Sequence, residues 1–315
     1  MRLAGRSALV TGGAGFIGSE LCAALLKSGN RVTCLDNFSS GKMEFIAPFS
    51  GDPNFRLRCG DLLRPHDITR ALSGCDIVFH FAANPDVRLG ATDSRVHFEQ
   101  NVLATYNLLE AVRESPAREL VFASSSVVYG VPKVIPTPES YGPLHPVSHY
   151  GASKLACEGL ISSYSHNFGI PSVLLRYANI IGRNAHGITR DFKRKLDLNP
   201  HELEILGDGT QAKSYLHVSD CVAGTLLAAE KVEHGVTAFN VGSEDQLNVR
   251  KIADIVCSEM GLSGVKYRFT GGEAWKGDVK VMLLSVAKLK KLGWKPAMNS
   301  EQAVRKAVRE MLGKE

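Results

Sequence analysis

No apolar run in the 315-residue chain approaches the length of a membrane-spanning helix. The opening residues lead at once into a short apolar strand, with no extended hydrophobic leader and no small-residue cleavage site. That points to a soluble, cytoplasmic protein. Cysteine is sparse: seven thiols, at 22, 34, 59, 75, 157, 221 and 257, with no Cys-x-x-Cys pair and no Cys/His cluster. This spacing offers no metal site and fits reduced thiols in a cytosolic chain. A strong charge of one sign is also lacking. The net charge is +5 and Lys and Arg are scattered, which argues against nucleic acid as a partner and suits an anionic small molecule. What remains, 44% hydrophobic and 22% charged, is ordinary globular composition, enough for one large or two modest domains.

Glycine punctuates what is present. Ser7-Ala-Leu-Val-Thr11 is a short apolar strand that ends in Gly12-Gly-Ala-Gly-Phe-Ile-Gly18. A helical segment follows from Glu20 to Lys27, and a second strand runs from Arg31 to Asp36. Strand, glycine turn, helix, strand is the context a dinucleotide fingerprint needs. Gly12, Gly15 and Gly18 permit the tight turn, close approach to a pyrophosphate and close packing of the helix, whose N-terminus faces the phosphates. Asp36, at the end of the second strand, can bond both ribose hydroxyls and repel a 2′-phosphate, so NAD is expected over NADP.

Further strand ends repeat the theme. Phe55-Arg-Leu-Arg-Cys-Gly60 leads to Asp61-Leu62, and Ile77-Val-Phe-His-Phe81 leads to Ala82-Ala83-Asn84. Asp61 could hold an adenine amino group or simply cap a turn, and Ala82-Ala83 would let the chain pass close to a cofactor. His80, inside an apolar strand, reads as a core histidine. Residues 96–115 read as one long helix, in which Asn101 is a poor helix former with a purposeful hydrogen bond. A fourth strand candidate, Glu119-Leu-Val-Phe-Ala123, ends in three serines, Ser124 to Ser126.

Tyr150-Gly-Ala-Ser-Lys154 sets a phenol and an ammonium four residues apart, one above the other on a helix. The ammonium favours the phenolate, so a tyrosine that ordinarily titrates near ~10 could act as a base closer to neutral pH. Alone, the pair recurs by chance, and its surroundings decide its meaning.

With those surroundings the chain resembles the extended branch of the short-chain dehydrogenase/reductase superfamily, a Rossmann-like α/β fold with a doubly wound parallel sheet. The motifs are Thr11 to Ser19, Asp36-Asn-Phe-Ser-Ser-Gly41, His80-Phe-Ala-Ala83, Phe122 to Gly130, Tyr150-Gly-Ala-Ser-Lys154, Arg176-Tyr-Ala-Asn179 and Gly207-Asp-Gly-Thr-Gln211. Within the branch it is most similar to NAD-dependent nucleotide-sugar epimerases, those acting on UDP-glucose above all. The resemblance implies a catalytic triad of Ser125, Tyr150 and Lys154, with Asn101 supporting the lysine. It implies cofactor contacts at Gly12, Gly15, Phe16, Ile17, Asp36, Asn37, Ser40, Gly41, Asp61, Leu62, Phe81, Ala82, Ala83, Asn101 and Tyr177, together with Tyr150 and Lys154. A homodimer built on helices 96–115 and 149–168 is a further implication.

Residues 1–176 are expected to form the NAD-binding Rossmann domain and 177–315 a smaller α/β substrate domain, with part of 215–245 returning to the sheet. For a UDP-sugar, the resemblance implies contacts from Asn84, Arg88, Ser125, Asn179, Phe192, Gln211, Lys213, Trp275 and Asp278. Two positions depart from the family pattern. Lys213 stands where arginine is usual, a point charge in place of a bidentate clamp, and Trp275 stands where many relatives carry a second phosphate-binding arginine. Phosphate binding would then lean on Arg88, Arg183 or Arg190. Met282 replaces a bulky tyrosine and could tolerate a larger sugar 2-substituent.

The expected reaction is inversion at C4 of a UDP-hexose through transient oxidation by tightly bound NAD. Related 4,6-dehydratases carry Thr-Asp-Glu where this chain has Ser125-Ser126-Val127, so it lacks their acid/base pair for eliminating water. The alternatives are epimerisation of a UDP-N-acetylhexosamine, epimerisation or decarboxylation of UDP-glucuronate with Arg88 on the carboxylate, and a non-catalytic NAD-binding regulator. The intact Ser125, Tyr150 and Lys154 weigh against the last.

Overall fold

The computed structural model describes residues 3–314 apart from 232, 233, 273 and 276. Seven parallel strands form its main sheet: β1 (Ser7–Thr11), β2 (Arg31–Asp36), β3 (Phe55–Cys59), β4 (Ile77–His80), β5 (Glu119–Ser125), β6 (Ser172–Tyr177) and β7 (Val236–Val241). Their spatial order is β7-β6-β5-β4-β1-β2-β3. β1, β4 and β6 are buried along their whole length, as continuous apolar runs with helices on both faces must be. β3, at an edge, alternates more exposed positions.

Helices fill both faces. On one, α1 (Phe16–Lys27) contributes Leu21, Cys22 and Leu25, and a later helix, Val218–Ala229, contributes Cys221 and Val222. On the other, Pro65–Leu72, Ala104–Arg113 and His149–Phe168 (α2, α3 and α4) contribute Ile68, Leu72, Leu108, Val112, Cys157 and Ile161. A third core lies in the C-terminal half, where Ile188–Leu198, Val249–Met260 and Ser300–Met311 pack around Phe192, Leu203, Ile252 and Val304. The last of these helices opens with a capping box between Asn299 and Gln302.

The stretch expected to be one regular helix is not. Arg95–His97 is α-helical, Phe98–Leu103 forms a π-helical turn, and α3 resumes at Ala104. The π-turn carries Asn101 and aims its side chain sideways into the protein. α4 is bounded in the ordinary way. Ser148 caps its N-terminus by accepting from the Gly151 N–H at 3.0 Å, and Gly169 ends it in the left-handed conformation at φ +65°.

Strand order reverses between β4 and β1. Chain connections diverge there and leave a crevice at the carboxyl ends of the strands. The tips of β1, β2, β4 and β5 open onto it, each carrying residues singled out in the sequence.

Candidate active site

The glycine turn lies at the tip of β1. Gly12 has φ +70°, and a methyl group there would lie 2.6 Å from the Ala82 backbone nitrogen, so two chain segments touch because neither has a side chain between them. A Cβ on Gly18 would fall 2.1 Å from the Gly12 carbonyl oxygen, which seats α1 against the turn. α1 begins at Phe16, after an N-cap Gly15 that offers no side-chain cap, so its first N–H groups are left to a ligand. The Asp36 carboxylate accepts from the Ala14 and Phe38 N–H groups, each at 2.9 Å. Burial raises its pKa, opposed by those two bonds. Phe38, just beyond, is the one non-glycine residue with positive φ among the described residues, at 57°. A bare glycine cradle at a helix N-terminus, with a carboxylate at the next strand end, fits an adenine dinucleotide.

Around this cradle, Asn37 donates to Asp61 at 3.0 Å, and the other Asp61 oxygen caps the Leu63 N–H at 2.9 Å. Leu62 is buried, and Phe16, Ile17 and Phe81 pack partly buried against the core. Gly41 approaches Asp36 closely, Ser40 is exposed, and Ala82 donates to the Thr11 hydroxyl at 3.3 Å, with Ala83 beside it. Tyr177 is buried with its ring 6.1 Å from Phe81, but its hydroxyl pairs with Thr225 at 2.7 Å, so the phenol is engaged away from the crevice. His80 is a core residue, held between Thr11 at 2.8 Å and Thr105 at 2.9 Å. Burial, helped by the Lys154 charge, lowers its pKa to about 3 and keeps it neutral.

Tyr150 and Lys154 lie in the first two turns of α4. Lys154 is 2% exposed; its ammonium donates to the Ala123 carbonyl at 2.8 Å and lies 4.7 Å over the Phe122 ring and 5.8 Å from the Tyr150 ring. Ser125 stands two residues beyond Ala123 at the strand end, half-buried, its hydroxyl 3.5 Å from the Val127 N–H. The electrostatics correct the expectation for the pair. Burial raises the Tyr150 pKa above its ordinary value and lowers that of Lys154 to about 8, so one neighbouring cation does not outweigh desolvation in the protein alone. Cys157 and Glu158 oppose the fall at Lys154.

Asn101 works differently from the expected support of the lysine. Its carbonyl oxygen accepts from the Asn84 N–H at 2.8 Å and its amide donates to the Ser153 hydroxyl at 2.9 Å. It therefore ties the β4 loop to the residue preceding Lys154, and no contact to the ammonium itself is present among the described residues.

On the substrate side, Lys213 pairs with Asp278 at 2.6 Å and lies 5.1 Å from the Trp275 ring. Asn179 donates to the carbonyl of Ser214, next along, at 3.1 Å. Gln211 is buried with its amide donating to Leu206 at 3.2 Å, while its carbonyl oxygen and the Trp275 indole N–H are buried without a partner among the described residues. Such orphaned groups suit a polar ligand. Phe192 is packed in the C-terminal core, Arg88 is exposed and 3.9 Å from Asp86, and Arg190 is bonded to the Ala185 and Arg183 carbonyls. Met282 is buried with Val128 and Tyr129. Sequence reasoning missed Glu158, on the buried face of α4 one turn beyond Lys154, and its ion pair with Arg176 at 2.7 Å. Its helical register with Lys154 was the available signal. Among the described residues no cluster of His, Cys, Asp and Glu could hold a metal ion, and no helix is long and apolar enough to cross a membrane.

A reversing parallel sheet, a glycine cradle and a Tyr–Lys pair at one crevice define a Rossmann-type dinucleotide enzyme. Residues 8–242 match the NAD dependent epimerase/dehydratase family, and the chain belongs to it. A solved UDP-galactose 4-epimerase is 44% identical, covers 98% of this chain and 99% of its own, and superposes with a TM-score of 0.86. The UDP-glucose 4-epimerase of Thermus thermophilus, solved with NAD, is 31% identical over 98% of this chain and 99% of its own, with a TM-score of 0.87. The UDP-glucose 4-epimerase of Corynebacterium glutamicum is 33% identical over 307 residues, 91% of this chain and 90% of its own.

Proposed function

We propose that the protein interconverts UDP-glucose and UDP-galactose by inverting C4 of the hexose, with NAD held throughout the cycle. The observation that carries this reading is the Lys154 ammonium, one turn along α4 from Tyr150, bonded to the Ala123 carbonyl two residues before Ser125, in the sheet whose strand ends bear the glycine cradle and Asp36. Held by the glycine cradle and Asp36, NAD would supply the reversible oxidant for C4.

The chain's own residues bind, orient and move the proton. Tyr150 removes the proton from the C4 hydroxyl and gives it back. Lys154, still mostly charged near neutral pH, stabilises the phenolate against the burial that raises the Tyr150 pKa. Ser125 hydrogen-bonds the sugar oxygen. Lys213 meets the diphosphate as a point charge, drawn from its pairing with Asp278, while Asn179 and the unpartnered Gln211 carbonyl and Trp275 N–H complete the polar wall. Ser126 is buried and Val127 apolar, so neither residue after Ser125 carries a carboxyl group to eliminate water. This favours epimerisation over dehydration.

A homodimer and a cytoplasmic setting belong to the same reading. Phe98 (60% exposed), Leu103 (38%), Tyr106 (43%) and Phe168 (49%) lie on the helical segments 95–113 and 149–168, large apolar side chains suited to pairing with a second copy. Incubation with UDP-galactose, without added NADH, should yield UDP-glucose and no free NADH. A steady rise in reduced nicotinamide would mark a simple dehydrogenase instead.

A further inference from the structure

One carboxylate ties the reacting groups to the sheet. Glu158 accepts from the Ser124 hydroxyl at 2.6 Å and from two nitrogens of Arg176, at 3.0 and 2.7 Å. Ser124 precedes Ser125 on β5, Arg176 precedes Tyr177 on β6, and Glu158 lies one helical turn beyond Lys154 on α4. Arg176 then donates to the Tyr129 hydroxyl at 3.0 Å and the Glu139 carbonyl at 3.3 Å. Tyr129 donates in turn to Asn240 on β7 at 2.7 Å. The side chains of Arg176 and Glu158 are 8% and 5% exposed.

A buried ion pair is a poor stability device, since an apolar pair of similar volume is often as stable or more so. The Glu158 bond to Ser124 crosses from α4, which carries Tyr150 and Lys154, to β5, which carries Ser125, and its two bonds to Arg176 anchor that junction to β6. We infer that Glu158 and Arg176 are positioning residues for the reaction: the pair clamps the β5 tip to α4 and so fixes Ser125 relative to Tyr150 and Lys154. The inference deepens the proposed epimerase reading and rests on it.

The clamp has an electrostatic side. The groups that bear on the Lys154 ammonium are Tyr150, Cys157 and Glu158 on its own helix and the neutral His80 on β4. β5 offers it only the Ala123 carbonyl and the Phe122 ring. Glu158 is thus the nearby carboxylate that favours the charged lysine, and Arg176 partly balances it.

The test replaces the pair with an apolar one, Glu158→Met with Arg176→Met, which leaves no buried charge unpaired. The cofactor-loaded double variant should lose on the order of 100-fold in kcat, with KM within about threefold, because a misplacement of an ångström suffices for that. Nitrogen-15 NMR of labelled lysine should show Lys154 titrating below its midpoint in the parent protein. Unchanged kcat and an unchanged Lys154 titration, whatever the melting temperature, would overturn the inference. If the double variant does not fold, Ser124→Ala decides: it removes one clamp bond, and about a fivefold loss in kcat is expected, against none for a purely structural pair. A parent protein that converts no UDP-sugar would sink the functional reading, whereas the lysine titration needs no substrate and still tests the clamp.

Discussion

Replacing Lys154 with methionine should make the cofactor-free protein more stable while abolishing its chemistry. The lysine is 2% exposed, and burial holds its pKa at about 8 against 10.5 for the free side chain. At ~1.36 kcal/mol per pH unit, that gap corresponds to roughly 3 kcal/mol spent on keeping the ammonium charged inside the folded protein near neutrality. Losing the bond to the Ala123 carbonyl returns about 1 kcal/mol of this. The expected net gain at pH 7 is therefore about 2 kcal/mol, read as a rise of roughly 4 °C in Tm.

The pH dependence distinguishes this cause from ordinary packing. A lysine whose folded pKa is depressed gives the parent its full stability above pH 10.5 and loses it as pH falls through about 8. The advantage of Lys154→Met should thus be constant below pH 7, shrink between pH 8 and 10.5, and give way above to a deficit of about 1 kcal/mol from the lost bond to the Ala123 carbonyl. Urea unfolding of the stripped protein across that range measures it. A variant less stable than the parent at pH 7, by an amount that does not change with pH, would refute the reasoning.

Gly12→Ala should weaken NAD binding and destabilise the fold by about 2–4 kcal/mol, since the new methyl meets the Ala82 backbone at 2.6 Å in a left-handed conformation; calorimetry and melting curves check both. Lys213→Met should weaken UDP binding roughly 10–100-fold, one buried charge-assisted contact, while bound NAD is unchanged. On the proposed homodimer, light scattering should find a dimer for the parent and a folded monomer for Phe98→Glu with Tyr106→Glu.

The Rossmann architecture was readable because its signals are local. A glycine turn between a strand and a helix, and an aspartate at the next strand end, need only consecutive residues to be recognised, and the Tyr150–Lys154 pair needs only one helical turn. The π-turn at Phe98–Leu103 was not readable, because one inserted residue blurs the apolar spacing that marks a helix without erasing it. Pairings distant in sequence were hidden for a different reason. Lys213 finds Asp278 and Glu158 finds Arg176 only after the sheet and helices are assembled. Nor does a motif disclose burial. The same Lys154 expected to make Tyr150 acidic is itself desolvated, and Phe192, named for a UDP-sugar contact, also fills a core.

The most direct test of the account is the fate of hydrogen at C4. With UDP-galactose carrying deuterium there, the UDP-glucose formed should keep its deuterium at C4, with no exchange from water, and Tyr150→Phe should slow the conversion at least ~1,000-fold while NAD stays bound. Loss of the label to solvent, or full activity in Tyr150→Phe, would contradict it.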